Sequence, residues 1–231
     1  MRLELPQPEL VQLVKRQLTS LFIFDESREE AVLNAVMGPT LEKTEHCFSQ
    51  IANKYYSRDG EAYFNPFHAG QYAIFLYYLC RQAFLDETPR STLPDRIYYL
   101  NKCLNSVDLF YEIEMPKVFF LDHPAGSVLG RATYGERFAF SQGCTVGNNK
   151  GVFPVFGENI KMMSDSKVLG NCHIGNNVIL AANTYIKDTD IPDNSIVFGS
   201  SPNLVIKPNK YKSLDFFLSP LPLEIVASIQ N

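Results

Sequence analysis

Two hydrophobic rhythms divide this chain. In its first hundred or so residues, apolar positions recur at spacings of three and four, the helical beat. Leu10, Leu13, Val14 and Leu18 fall on one face of residues 9–22, which predicts an amphipathic helix. Residues 25–38 predict a second helix, with an acidic first turn after Asp25 and a stop at Gly38-Pro39. A third is expected over 40–56. Residues 67–86, "FHAGQYAIFLYYLCRQAFLD", are apolar nearly all round and predict a helix at the centre of the fold or at a subunit interface. A fifth is expected over 93–105, with Pro94 near its first turn.

From about residue 107 the helical beat gives way to a beat of six. Tyr134, Phe140, Phe156, Met162, Val168, Ile174, Leu180 and Ile186 take the first position of successive hexads. Phe138, Cys144, Ile160, Ser166, Cys172, Val178 and Thr184 take the fifth, small or apolar throughout. Residues 148–155 interrupt the series. This period fits neither a helix nor a hairpin sheet, whose side chains alternate by two. It predicts a parallel β-helix, in which each hexad gives a short strand and a corner and three hexads close one coil. Phe156 should then stack under Ile174, and Val168 under Ile186, with strands about 4.8 Å apart. The expected organisation is a helical domain over 1–106, a β-helix over 107–207 and a tail over 208–231.

The composition is that of an ordinary globular protein, 45% hydrophobic and 20% charged, with a net charge of −4. No arginine-rich face or interleaving of basic and aromatic residues points to nucleic acid. The longest apolar run, 72–80, is too short to span a bilayer, and the first ten residues carry charges and prolines unlike a signal peptide. These readings place the protein in the cytoplasm. The five cysteines are scattered without C-x-x-C spacing, which predicts buried free thiols rather than a disulfide framework, and no metal site is suggested.

Candidate chemistry centres on "FFLDHPAGSVLG" at 119–130, where His123 follows Asp122 and precedes a run of small residues. An imidazole titrates close to neutral pH and can both take and return a proton. His173, inside a hexad, and His46, on a helix, read as surface residues. Together "LDHPAGSVLG", "VLGNCHIGNNVILAANTYI" and "DIPDNSIVFGSSPNLVIK" resemble the serine acetyltransferase family of hexapeptide acyltransferases, with a weaker echo in "FHAGQ" at 67–71. The resemblance implies a left-handed β-helix assembled as a homotrimer, which the N-terminal helices can join into a dimer of trimers. It implies acetyl-CoA as co-substrate, held between neighbouring coils. It implies His123 as general base and Asp108 as the carboxylate that orients it, with Asp122 in contact with the acceptor. His68 is a further candidate for the acceptor pocket. Ser164, Ala182 and Asn183 match the small residues of the coenzyme groove, Ser200 belongs to the matching C-terminal turn, and Lys187 and Lys207 are candidates for the 3′-phosphate.

The family's Arg-His-Pro stretch is Val152-Phe153-Pro154 here. An acceptor carboxylate facing Val152 and Phe153 would lose charge-assisted hydrogen bonds worth about 1.5–3 kcal/mol each. An aromatic wall suits the face of a sugar ring better. The expectation is therefore O-acetylation of a saccharide hydroxyl, with serine O-acetylation through an altered pocket as the alternative, and a non-catalytic β-helix scaffold as a reading of another class.

Overall fold

The computed structural model describes residues 1–86, 92–210 and 217. The N-terminal half holds β1 (Arg2–Leu3), α1 (Gln7–Leu21), α2 (Glu26–Phe48), β2 (Ser57–Arg58), β3 (Glu61–Phe64), α3 (Ala69–Leu85) and α4 (Leu93–Asn105). Helix α2 starts where expected. The Asp25 carboxylate caps it by accepting from the Ser27 N–H at 3.1 Å. It does not stop at Gly38-Pro39. Proline removes one N–H and crowds the preceding turn, but the buried stripe of Val32, Leu33, Val36, Met37, Thr40, Thr44 and Cys47 runs straight through it. The burial of that stripe outweighs the break, so the two helices expected at 25–38 and 40–56 are one, ending at Phe48.

Residues 57–64, read from sequence as part of no element beyond the end of a helix, form a hairpin. Asp59 and Gly60 at its tip have φ of 54° and 82°, the positive values that a tight two-residue turn demands. Strand β1 pairs in parallel with β3, completing a three-stranded sheet beside the helices. Helix α3 is central, as its all-round apolarity requires. Residues 70–80 are buried without a break, and α3 packs on α2, α4 and the strand Phe119–Asp122 of the second half.

That second half is a parallel β-helix with three strand columns. One column stacks β5 (Phe119–Asp122), β7 (Phe138–Ser141), β10 (Ile160–Met162), β13 (Val178–Leu180) and the start of β15 (Ser195–Ser200). A second stacks β4 (Asp108–Leu109), β6 (Val128–Leu129), β8 (Thr145–Gly147), β11 (Lys167–Leu169) and β14 (Tyr185–Lys187). The third holds β9 (Val155–Phe156) and β12 (His173–Ile174), extended by bridges from Thr133 and Ile191. Strand β16 (Asn203–Pro208) folds back antiparallel on β15 and closes the last coil.

Register confirms the hexad reading. Phe156 pairs with Ile174, and Val168 with Ile186, each eighteen positions apart. Where Phe138 pairs with Ile160 the step is twenty-two, because the loop around 148–151 is inserted into that coil. The first- and fifth-position side chains fill the axis: Phe138, Phe140, Ile160, Met162, Val168, Val178, Leu180 and Ile186 are all buried. Each such side chain contributes about 1.5–3 kcal/mol by burial. The corners need backbone of positive φ, which Arg137, Asn159, Asn177 and Asn194 supply in one column. Gly135, Gly157 and Gly175 stack so closely that a Cβ on Gly135 would stand 2.3 Å from the Gly157 carbonyl oxygen.

Helices and coils share one continuous core. The Cys47 thiol donates to the Phe119 carbonyl, and burial pushes that thiol up to about 12. Four of the five cysteines are buried as expected; Cys103 is exposed. Of the expected tail, 208–210 and Phe217 are described, and Phe217 bridges Ile51. No helix among the described residues is long and apolar enough to cross a membrane.

Candidate functional site

The site lies where helix α3 meets the first coil. Strand β5 ends at Asp122, and His123 follows with φ of 52°, a left-handed conformation that histidine adopts more readily than most side chains. The turn is fixed by backbone bonds: Ala125 N–H to His123 O at 2.8 Å, and Gly126 N–H to Ser106 O at 2.8 Å. Gly126 itself has φ of 74°. This geometry throws the His123 ring outward, where its side chain is 92% exposed. The nearest carboxylate is that of Asp122, with Oδ1 4.0 Å from His123 Nε2.

Asp108, which the resemblance implies as the partner of this ring, has its carboxylate held by α4 in this structure. The Asp108 backbone does reach the turn, since its N–H donates to Ser127 O at 2.9 Å. Its carboxylate, however, faces α4. Oδ1 accepts from the Tyr98 hydroxyl at 2.6 Å and Oδ2 from Lys102 Nζ at 2.5 Å. Those two partners sit one turn apart on α4 and take both oxygens. The Asp108 carboxylate in turn raises the Lys102 pKa.

His68 comes to the same place from the other side. It is the N-cap of α3, and its Nδ1 accepts from the Gln71 N–H at 3.3 Å, so the proton of the neutral ring resides on Nε2. Burial lowers its pKa, and the charge of His123 lowers it further. Gly70 lets α3 abut β5: a Cβ there would stand 3.0 Å from Leu121 O and 3.2 Å from the Tyr56 hydroxyl. That hydroxyl is buried and makes no hydrogen bond. Tyr56 packs edge-on against His68 and Phe120, and the nearby Asp122 charge adds to the burial that raises its pKa.

In front of His68 opens a pocket that the sequence reading did not foresee, lined by Lys54, Tyr55, Arg58, Tyr63 and Asn65 among others. Arg58 and Tyr63 come from the unforeseen hairpin, and Lys54, Tyr55 and Asn65 flank it. The signal that was present is "KYYSRDG" at 54–60, where cations and aromatics precede an Asp-Gly turn.

The expected coenzyme residues fall into two groups. Ser164 and Ala182 occupy equivalent places on successive coils, and the Asn183 N–H donates to Ser164 O at 2.9 Å. Lys187 lies beside the C-terminal turn, where its N–H donates to Ser201 Oγ at 3.1 Å, and Ser200 stands opposite Tyr185. Lys207 does not join them. It lies at the far end of the β15–β16 pair, opposite Ile196, with its ammonium 5.5 Å from the Phe198 ring. Val152 and Phe153, 46% and 39% exposed, precede β9, whose Val155 pairs with His173. The His173 ring pairs at 3.2 Å with Asp190, whose pKa is lowered by the His173 backbone N–H and ring. Among the described residues no group of three or more His, Cys, Asp or Glu side chains is gathered in the manner of a metal site.

No family model matches the chain. A serine acetyltransferase of Staphylococcus epidermidis is 27% identical over 143 residues, which is 60% of this chain and 66% of the relative, a little under two thirds of its length. Among solved structures, the serine acetyltransferase of Neisseria gonorrhoeae superposes with a TM-score of 0.60 at 21% identity, over 87% of this chain and 73% of that one. A serine acetyltransferase solved in complex with CoA gives a TM-score of 0.57 at 18% identity, over 77% and 74%. Helical half, β-helix and the turn that presents His123 thus stand in a chain that resembles the serine acetyltransferases in sequence and in fold.

Proposed function

We propose that this protein is an acetyl-CoA-dependent O-acetyltransferase. The observation that carries the reading is the exposed His123 ring beside Asp122, at the joint of helix and coil, in a chain of serine acetyltransferase type. His123 removes the proton of an acceptor hydroxyl as its oxygen attacks the thioester carbonyl. The new C–O bond forms, the C–S bond breaks, and the proton passes from the imidazolium to the departing CoA thiolate. An oriented imidazole of this kind contributes about 10²–10⁴-fold. Geometry favours Asp122 as the carboxylate that steadies the ring, whereas the family resemblance assigns that part to Asp108. The corner at Ser164, Ala182 and Asn183 takes the slim pantetheine, and Lys187 with Ser200 lies where a phosphate of the coenzyme is met. The assembly in this reading is a homotrimer, with hexamers reached through the helices.

The acceptor has two readings, each with its own support. The names of the relatives support L-serine. Val152 and Phe153, apolar and exposed, support a saccharide hydroxyl, because they offer a carboxylate no hydrogen bond. A screen of thiol release from acetyl-CoA with L-serine and with a panel of sugars separates them. Turnover on serine alone eliminates the saccharide, and turnover on sugars alone eliminates serine. Equal release by wild type and His123→Ala with every acceptor would leave only a scaffold.

A further inference from the structure

We propose that the hairpin pocket in front of His68 is the anion-recognition part of the acceptor site, so that the acceptor is a hydroxyl compound bearing a carboxylate or a phosphate. This rests on the acetyltransferase reading above.

The cavity, about 290 Å³, lies at the lower end of the range for small-molecule sites. No Asp or Glu lines it, in a chain with more acidic than basic residues. Its walls present donors. Lys54 makes no ion pair among the described residues, and its ammonium lies 5.1 Å from the centre of the Tyr55 ring. Arg58 has one nitrogen 3.6 Å from Glu4 and its guanidinium 5.3 Å from the Tyr63 ring, which leaves other N–H groups of its fork for a ligand. Asn65 accepts the Phe67 N–H at its oxygen, so its amide nitrogen remains a donor. His68 spends Nδ1 on Gln71 and keeps Nε2–H. A pocket of cations and N–H donors selects a ligand that only accepts, and carboxylate and phosphate are such groups. The half-exposed Tyr55 ring adds a flat apolar wall.

Position ties the pocket to the chemistry. His68 is part of the pocket wall and caps α3, and α3 begins against β5, where Gly70 meets Leu121 two residues before His123. An acceptor whose anion sits between Lys54 and Arg58 extends past His68 toward the base. The side chains of Val152 and Phe153 offer a carboxylate no hydrogen bond, whereas the residues around the hairpin offer several.

The test uses thermal shift for the pocket and turnover for the reaction. Wild-type protein is titrated with glucuronate, glucose 1-phosphate, glucose, L-serine and L-serinamide, and so is Lys54→Gln, a substitution at an exposed position that leaves the core untouched. The members that bear a carboxylate or phosphate should raise Tm and those that lack one should not, with the two acids and the phosphate ester telling which group fits. Lys54→Gln should weaken that response about ten-fold in ligand concentration, and Arg58→Lys should weaken it less. Acceptor KM should rise in parallel while KM for acetyl-CoA holds. Equal response to members with and without the anionic group, or a rise in KM for acetyl-CoA alone, overturns the proposal. Absence of acceptor-dependent thiol release with a preserved, Lys54-dependent shift would overturn the reaction and leave the pocket standing.

Discussion

Replacing Asp108 by asparagine separates fold from catalysis at this site. The Asp108 carboxylate is a quarter exposed and bonded twice to α4, through Tyr98 and Lys102. Asparagine keeps an oxygen for the Tyr98 hydroxyl but loses the charge. The partly exposed ion pair with Lys102, whose side chain is 44% exposed, is worth about 0.2–1 kcal/mol. Converting the Tyr98 bond from a charged to a neutral acceptor removes about 1 kcal/mol more. The sum, about 1–2 kcal/mol, corresponds to a fall in Tm of about 2–8 °C for a chain of this size. Lys102→Met should produce part of the same fall. A double-mutant cycle should then return a coupling of about 0.5 kcal/mol or more, since the two residues touch. Differential scanning calorimetry reads the stability and initial rates of thiol release read the activity, both on purified variants. In kcat, Asp122→Asn should lose more than Asp108→Asn, because Asp122 is the carboxylate beside the ring. A collapse of kcat in Asp108→Asn with Tm unchanged would refute the reasoning. It would mean that in the working enzyme Asp108 leaves α4 and turns to His123, as the family resemblance implies.

Other consequences follow from particular residues. His123→Gly should retain or raise Tm, by 0 to about 4 °C, because glycine relieves a left-handed backbone costing about 1–2 kcal/mol and the exposed ring packs on little; a calorimetric drop would show hidden contacts. Gly135→Ala should lower Tm markedly, since its Cβ would collide with the Gly157 carbonyl; a melting curve like wild type would contradict the stacked-coil register. His68 has its pKa lowered by burial, so its unfolded state binds the proton more readily than the folded one. Its contribution is therefore neutral above the ordinary histidine value near 6.5 and destabilising as pH falls below it. His68→Gln should flatten that acid-side loss of Tm, and an unchanged profile would exclude His68 as its source.

Much of the coil geometry was legible because the axis admits only inward side chains of the right size. Ser166 and Thr184 illustrate this: both sit at the fifth position, both are fully buried, and Thr184 satisfies its hydroxyl on Val197 O at 3.0 Å. The Ser166 hydroxyl lies 3.5 Å from the Cys144 thiol, so the beat of six survives polar substitution where the hydroxyl finds a partner inside the coil. Helix α2 was misread at Pro39 because a local breaker was weighed without the long buried stripe that spans it. The hairpin at 57–64 was missed because four residues of β3 are too few to show an alternation against the neighbouring helical pattern. At the site, His123 could be singled out from its setting, but the partner of Asp108 could not. That choice depends on the register of α4, which places Tyr98 and Lys102 over β4, and no local pattern around Asp108 records it. The hairpin pocket was illegible for the same reason, since Lys54, Arg58 and His68 converge only once β3 folds back toward α3.

In the proposed reaction an exposed imidazole at the first coil accepts the proton of an attacking hydroxyl. The most direct measurement is thiol release from acetyl-CoA, with saturating acceptor, by wild type and His123→Gln side by side, each with its melting curve. The rate should fall about 10²-fold or more with Tm essentially unchanged. Equal rates in two equally folded proteins would contradict it.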